Sequence, residues 1–261
     1  MNIARMFRSL PRAAEQAFAL LSEPGFLKAA MTWPVFSVTS FLMLSRLSKL
    51  GVRPRTVIDI GANVGQFAVA AAMRFPEAVV HCYEPLPECF DALKNTAAKF
   101  LSLQPHQLAL GESVGDLRFN VNSYTLSSSA LPLADAHKAA FPFAREVRTI
   151  TVPSSTLDSI YADGALTTPI LLKLDVQGYE VNVLRGGKVF LQRVDYIVTE
   201  LSFEPLYVGE MPLLDTLAFL DGLGFDFMQP LSFLDDPGHC KYLQMDGLFR
   251  RRIEAVSELK V

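Results

Sequence analysis

The stretch TVIDIGANVGQFAVAAAMRFP, Thr56–Pro76, decides the fold. A short β-branched run, Val57–Ile60, carries the acid Asp59 near its end. Glycines follow at Gly61 and Gly65, and an alanine-rich apolar segment then runs to about Phe75. Strand, tight turn and helix in that order open a sheet of alternating strands and helices, where ligands sit outside the carboxyl ends of the strands. Glycine lets the backbone turn tightly and approach a ligand where a Cβ would obstruct. A carboxylate beneath such a loop can accept hydrogen bonds from loop amides or face a cationic ligand group.

The same loop argues against phosphate. Dinucleotide loops read G-x-G-x-x-G and Walker loops end in G-K-[ST]. DIGANVG has no lysine and lacks the paired first glycines. An acid at this point would repel a pyrophosphate. A cofactor with positive charge and no phosphate fits better. S-adenosylmethionine, with its sulfonium and ammonium groups, meets both conditions. Val79–Tyr83 reads as a second strand, and Glu84 follows it in CYEP. An acid there can accept both ribose hydroxyls, a feature shared with nicotinamide-binding folds. The alternative is an ordinary turn with solvent-facing acids.

Outward from this unit the alternation continues. Pro87–Phe100 reads as a helix with Phe90, Leu93 and Ala97 at helical spacing, and Gln107–Leu110 as a third strand. PILLKLD (Pro169–Asp175) and VDYIVTEL (Val194–Leu201) read as strands flanking a helix from about Gly178. Leu213–Leu223 is a helix ended by Gly224. FDFMQPLSFL and KYLQMDGLFRR are then two strands joined by the turn-forming DDPGH. This predicts a mainly parallel sheet with helices on both faces, ending in an antiparallel hairpin. Residues 115–152 interrupt the alternation with a strand (DLRFNVN), a polar loop (SYTLSSSALP) and another strand (EVRTITVPSS). Residues 1–50 read as a helical extension punctuated by Pro11, Pro24 and Pro34, ahead of one domain over 51–261.

Composition sets the outer limits. The 261 residues are half hydrophobic and one-fifth charged, ample for one large core. Net charge is −3, so the whole domain does not read as a nucleic-acid binder. Cys82, Cys89 and Cys240 form no metal-ligand spacing and suit reduced thiols in the cytoplasm. Pro11 and Glu15 break the start before any long apolar run, which argues against a signal peptide. Met31–Leu44 is too short to span a bilayer and contains Pro34. Arg5, Arg8 and Arg12 recur near helical spacing among Ile3, Met6, Phe7 and Leu10. That basic amphipathic pattern suits peripheral contact with an anionic membrane, here the inner face. A helix docked on the catalytic domain, or on a second subunit of a homo-oligomer, is the plainer alternative.

These pieces together resemble the FkbM family of S-adenosylmethionine-dependent methyltransferases. The matching segments are VIDIGANVGQF, YEPLPECFDALKNT, LALGESVGDLRF, STLDSI, LLKLDVQGYEVNVLRGG, YIVTELS and QMDGLFRR, in the expected order. The resemblance implies a Rossmann-like class I methyltransferase fold with a seven-stranded sheet. It also implies O-methylation of sugar or polyketide hydroxyls. The family form often has Glu where this chain has Gln177, which weakens a catalytic role for that position. Residues 1–50 fall outside the resemblance.

Methyl transfer needs the hydroxyl oxygen, methyl carbon and sulfur aligned, and the oxygen relieved of its proton. The expected cofactor contacts are Asp59, Gly61, Asn63, Gly65, Phe67, Glu84 and Asp175, with Ala109 by the adenine at the end of strand three. Asp175 ends the fourth strand and Glu200 lies near the end of the fifth, so both face one cleft and the methyl group. Lys173 sits two residues before Asp175 on the same strand face, where it can stabilise a developing alkoxide or pair with an acid. The two acids resemble the strand-end acids that hold magnesium in catechol O-methyltransferases. A divalent metal is not favoured, and a general base or a buried ion pair with Lys173 are the alternatives. Glu180 reads as a helix N-terminal acid. His239, in the turn of the last hairpin, is the runner-up base. His81 and His106 read as structural or loop residues and His137 belongs to the insertion, whose Ser128 and Ser129 can reach the acceptor. The acceptor is then a carbohydrate or small-molecule hydroxyl. A nicotinamide-dependent oxidoreductase and an inactive member of the fold are the competing readings.

Overall fold

The computed structural model describes residues 20–21, 23–162, 164, 166–236 and 241–252. Short helices α1 (Phe26–Thr32) and α2 (Val38–Lys49) lead into β1 (Thr56–Ile60), α3 (Gln66–Arg74), β2 (Val79–Tyr83), α4 (Pro87–Ala97) and β3 (Leu103–His106). A second group follows: β4 (Ala109–Leu110), β5 (Gly115–Asn122), α5 (Asp135–Ala140), β6 (Glu146–Ser155) and α6 (Leu157–Ile160). The chain then forms β7 (Ile170–Leu174), α7 (Glu180–Arg185), β8 (Tyr196–Ser202), α8 (Leu213–Gly222), β9 (Phe225–Asp235) and β10 (Tyr242–Arg251).

The main sheet has seven strands in the order β3-β2-β1-β7-β8-β10-β9. All its neighbours pair in parallel except β10, which runs antiparallel between β8 and β9. The order reverses between β1 and β7, the switch point where ligands bind in open sheets. Alternation along β1 explains the layering: Val57 joins the core under α2, α3 and α4, while Ile58 and Ile60 join the core under α6, α7 and α8. Asp59 falls on the Val57 side and is buried.

Two expectations are corrected. The third strand is Leu103–His106 rather than Gln107–Leu110. Pro105 obscures it in the sequence, but β3 is an edge strand, where a residue without an N–H breaks no ladder. Ala109 instead opens β4, in a second, three-stranded sheet ordered β4-β6-β5. That sheet holds the ends of the 115–152 segment, whose β5 and β6 pair antiparallel as a hairpin around α5. Helix α2 buries Met43, Leu44 and Leu47 against the sheet core. Arg5, Arg8, Arg12, His239 and Cys240 lie outside the described residues.

Candidate active site

The turn after β1 is shaped by its neighbours as much as by any ligand. Gly61 has φ 82°, and a Cβ there would lie 1.9 Å from the Asp175 carbonyl oxygen. The glycine is therefore demanded by the close crossing of the β1 and β7 ends. Gly65 begins α3 with φ 100°, and a Cβ there would sit 3.0 Å from Leu93 Cδ1 of α4. Gly65 lines neither of the clefts at the carboxyl ends of the strands, and its positive φ and the closeness of Leu93 account for a glycine at this position. The loop is pinned by Glu84: its Oε2 accepts from the Asn63 N–H at 2.8 Å and its Oε1 from the Leu86 N–H at 2.8 Å. Burial lifts the Glu84 carboxyl to about 7, against the pull of those two amides. Burial likewise lifts Asp59 to about 7, reinforced by Asp175 and Glu84 and opposed by Lys173.

Two clefts open at the carboxyl ends of the strands. The first, open to solvent, runs past Gly61, Asn63, Glu84, Leu86, Ala109 and Tyr179. Among the described residues its charged lining consists of Glu84 and Asp175, with no Lys, Arg or His. The second is larger, about 1370 Å³, and reaches Asp59, Lys173, Glu200 and Asp246 at its floor. Phe67 lines this second cleft. Its ring lies 5.8 Å from Lys173 Nζ, so it is a neighbour of the lysine rather than a wall of the first cleft. Gly61, Asn63, Leu126, Asp175 and Gln177 line both clefts, so the two meet at Asp175.

At that meeting point the strand-end groups form one network. Lys173, buried, sits 3.2 Å from Asp175 Oδ2 and 3.7 Å from Asp246 Oδ1. Burial pulls the Lys173 ammonium down, but Asp175, Asp246, Glu200 and Asp59 more than offset it and hold it charged. Gln177 Nε2 donates to Asp175 Oδ1 at 2.8 Å and to Glu200 Oε2 at 2.9 Å, bridging the two acids. Its Oε1 accepts from the Tyr207 hydroxyl at 2.7 Å. Gln177 adopts φ 58°, an unusual conformation for a residue with a Cβ. Burial pushes Glu200 well above the usual carboxylate range, and nearby Asp175 adds to the shift.

The expected pair Asp175 and Glu200 is thus brought together, with Lys173 behind Asp175. Glu180 is buried and its Oε1 accepts from the Val176 and Gly178 N–H groups at 3.0 and 3.2 Å, so it clasps the loop that carries Gln177. Ser129 Oγ donates to the Gln177 carbonyl at 2.7 Å, bracing the same loop. Three participants escaped the sequence reading. Asp246 reaches the site because β10 pairs with β8 in a register that sets it opposite Glu200. Tyr207 arrives from the loop after β8. His137 lines the second cleft with Nε2 3.2 Å from Ser127 Oγ, its pKa lowered by burial. His81 and His106 stack on one another in β2 and β3. Among the described residues, no group of three or more His, Cys, Asp or Glu is arranged to hold a metal ion.

The pattern of the methyltransferase FkbM domain matches residues 59–227, from Asp59 of the glycine turn to Phe227 of β9. The chain belongs to the FkbM methyltransferase family. It is 26% identical over 163 residues to the 2-O-methyltransferase NoeI of Sinorhizobium fredii, covering 60% of this chain and 67% of that protein. It is 28% identical to the hexuronic acid methyltransferase AglP of Haloferax volcanii, over 55% of this chain and 54% of AglP. The 31-O-demethyl-FK506 methyltransferase FkbM of Streptomyces tacrolimicus is 28% identical, over 67% of this chain and 74% of its own length.

The family's cofactor is S-adenosylmethionine, and this chain fits it. The first cleft offers carboxylates and no cation, which suits a phosphate-free cationic nucleoside and rejects a diphosphate. Asp59 Oδ2 is buried without a hydrogen-bond partner, a cost that a cationic ligand nearby would relieve. The fold and family set aside the oxidoreductase alternative.

Proposed function

We propose that this enzyme methylates a hydroxyl of a sugar, within a glycan or glycolipid, and that transfer takes place beside Asp175. The meeting of the two clefts at Asp175, Gly61, Asn63 and Gln177 carries this reading. S-adenosylmethionine, when bound, supplies an electrophilic methyl group. Glu84 and Asn63 hold the nucleoside side of the first cleft, and Ala109 lies along it. Asp59 gives negative potential beneath the loop.

In the second cleft Asp175 accepts the hydrogen bond of the acceptor hydroxyl and takes its proton as the oxygen becomes a nucleophile. Lys173 fixes one carboxylate oxygen of Asp175, and Gln177 fixes the other. That leaves a lone pair of Oδ1 for the hydroxyl and holds the acid in one orientation. Glu200 steadies Gln177 from the far side. Alignment of this kind lowers a displacement barrier by several kcal/mol without a strong nucleophile.

The hexuronic acid in AglP's name supports a sugar acceptor. The 31-O position in the name of the Streptomyces protein favours a small-molecule hydroxyl as the second reading. Among the described residues no helix is long and apolar enough to cross a membrane. The basic segment around Arg5, Arg8 and Arg12 supports work in the cytoplasm at an anionic inner membrane face. Incubation with methyl-labelled cofactor and extracted glycolipids, glycans and small metabolites tests the proposal. Label should enter the saccharide fractions as an alkali-stable ether. Alkali-labile label, the mark of a carboxyl ester, or label confined to non-saccharide metabolites would contradict it.

A further inference from the structure

The second cleft is divided by chemistry. Its floor is ionic: Asp59, Asp175, Glu200 and Asp246 surround the single described cation, Lys173. That lysine is already shared between Asp175 and Asp246. Four carboxyl groups thus face one ammonium that is already paired, so among the described residues the floor offers an anionic acceptor no free cation. Bringing a carboxylate or phosphate beside it costs Coulomb energy with no partner to recover it.

The rim is the opposite. Tyr124, Phe143, Phe233 and Leu234 line the same cleft yet remain 45%, 59%, 46% and 39% exposed. Tyr124 and Phe143 meet edge to face at 5.6 Å, and Phe233 packs on Tyr242 at 4.6 Å. Aromatic side chains left in water around a cleft mark a surface waiting for apolar material. Between rim and floor lie neutral hydrogen-bonding groups, among them Ser40, Gln66 and Gln244, suited to uncharged hydroxyls.

Resting on the methyl-transfer reading above, we infer that the acceptor is an uncharged sugar carried on an apolar aglycone. The sugar sits at the ionic floor and the acyl or alkyl chain lies across the Tyr124–Phe143 and Phe233 rim. A hexuronate acceptor is excluded by the charge of the floor, which sets this chain apart from the activity in AglP's name.

The test uses the full-length enzyme with saturating S-adenosylhomocysteine, whose own binding is measured first. Methyl and n-octyl glycosides of glucose, galactose and rhamnose, and n-octyl glucuronide, are titrated below their micelle concentrations. At least one octyl glycoside should bind about tenfold or more tighter than its methyl counterpart, a fraction of what burying the chain supplies. Octyl glucuronide should bind about tenfold or more weaker than octyl glucoside. Phe143→Ala and Phe233→Ala, at exposed positions that do not threaten folding, should each reduce the octyl advantage about threefold or more and leave S-adenosylhomocysteine affinity unchanged. Equal binding of methyl and octyl glycosides, a glucuronide as tight as its neutral partner, or no glycoside binding at all overturns the inference while the methyltransferase stands. Failure of S-adenosylhomocysteine to bind overturns the methyl-transfer reading itself, and this inference with it.

Discussion

Replacing Asp59 by Asn removes an ionisation without changing the shape of the side chain. Asp59 is buried, and burial raises its pKa from the ordinary 3.8 to about 7. The folded state therefore holds this proton more tightly than the unfolded chain. Below about pH 4 both states are protonated and nothing is lost. Between about 4 and 7 the unfolded chain releases its proton first, so stability falls as pH rises, and above 7 the loss is complete. A shift of this size corresponds to roughly 4 kcal/mol. For a chain of this length that is about 8 °C in melting temperature. The assay is thermal unfolding of cofactor-free wild type and Asp59→Asn, from pH 5 to pH 8.5. The variant should gain on the wild type from pH 5 up to about pH 7, level off above it, and lead by several degrees more at pH 8.5 than at pH 5. A constant offset between the two proteins would refute the buried, cofactor-free carboxylate as drawn.

Gly61→Ala should unfold the protein at least about 3 kcal/mol more easily, because its Cβ has a carbonyl oxygen at 1.9 Å and a positive φ to satisfy, as chemical denaturation would reveal. Gly65→Ala also has a positive φ to satisfy but meets only side chains, the end of Leu93 at 3.0 Å and Thr96 beyond it, and should cost about half as much in the same assay. Glu84→Gln replaces one of the acceptors that pin Asn63 and Leu86, and calorimetry should find S-adenosylhomocysteine binding weakened about tenfold or more. Lys173→Met leaves Asp175 and Asp246 without their buried cation and should destabilise by about 3 kcal/mol at neutral pH, less at acid pH where the acids can protonate. Gln177→Ala unties Asp175 from Glu200; turnover should fall while cofactor affinity holds.

The core of the fold was readable because its signals are local. The β-branched run ending at Ile60, the glycine turn and the alanine-rich helix follow one another within Thr56–Pro76, and the same alternation recurs around Asp175 and Glu200. Leu103–His106 was hidden by Pro105, whose meaning depends on an edge position that only the assembled sheet reveals. Asp175, Glu200 and Lys173 could be nominated because strand ends share one side of a parallel sheet. Asp246 could not, because it enters through an antiparallel register opposite Glu200. Gln177 looked weaker than the Glu of the family form, yet its amide is what joins the two acids and Tyr207. The glycine turn carried a mixed message. Its conformation was foreseen, but the atom that excludes a Cβ at Gly61 is a backbone oxygen of Asp175, more than a hundred residues away in the chain.

Asp175 is the residue on which the proposed transfer turns. With methyl-labelled S-adenosylmethionine and an acceptor fraction that the wild type labels, Asp175→Asn should still bind S-adenosylhomocysteine. It should transfer label slower by about a hundredfold or more, the range expected when a positioned proton acceptor is lost. Wild-type transfer by Asp175→Asn would contradict the site proposed at the meeting of the two clefts.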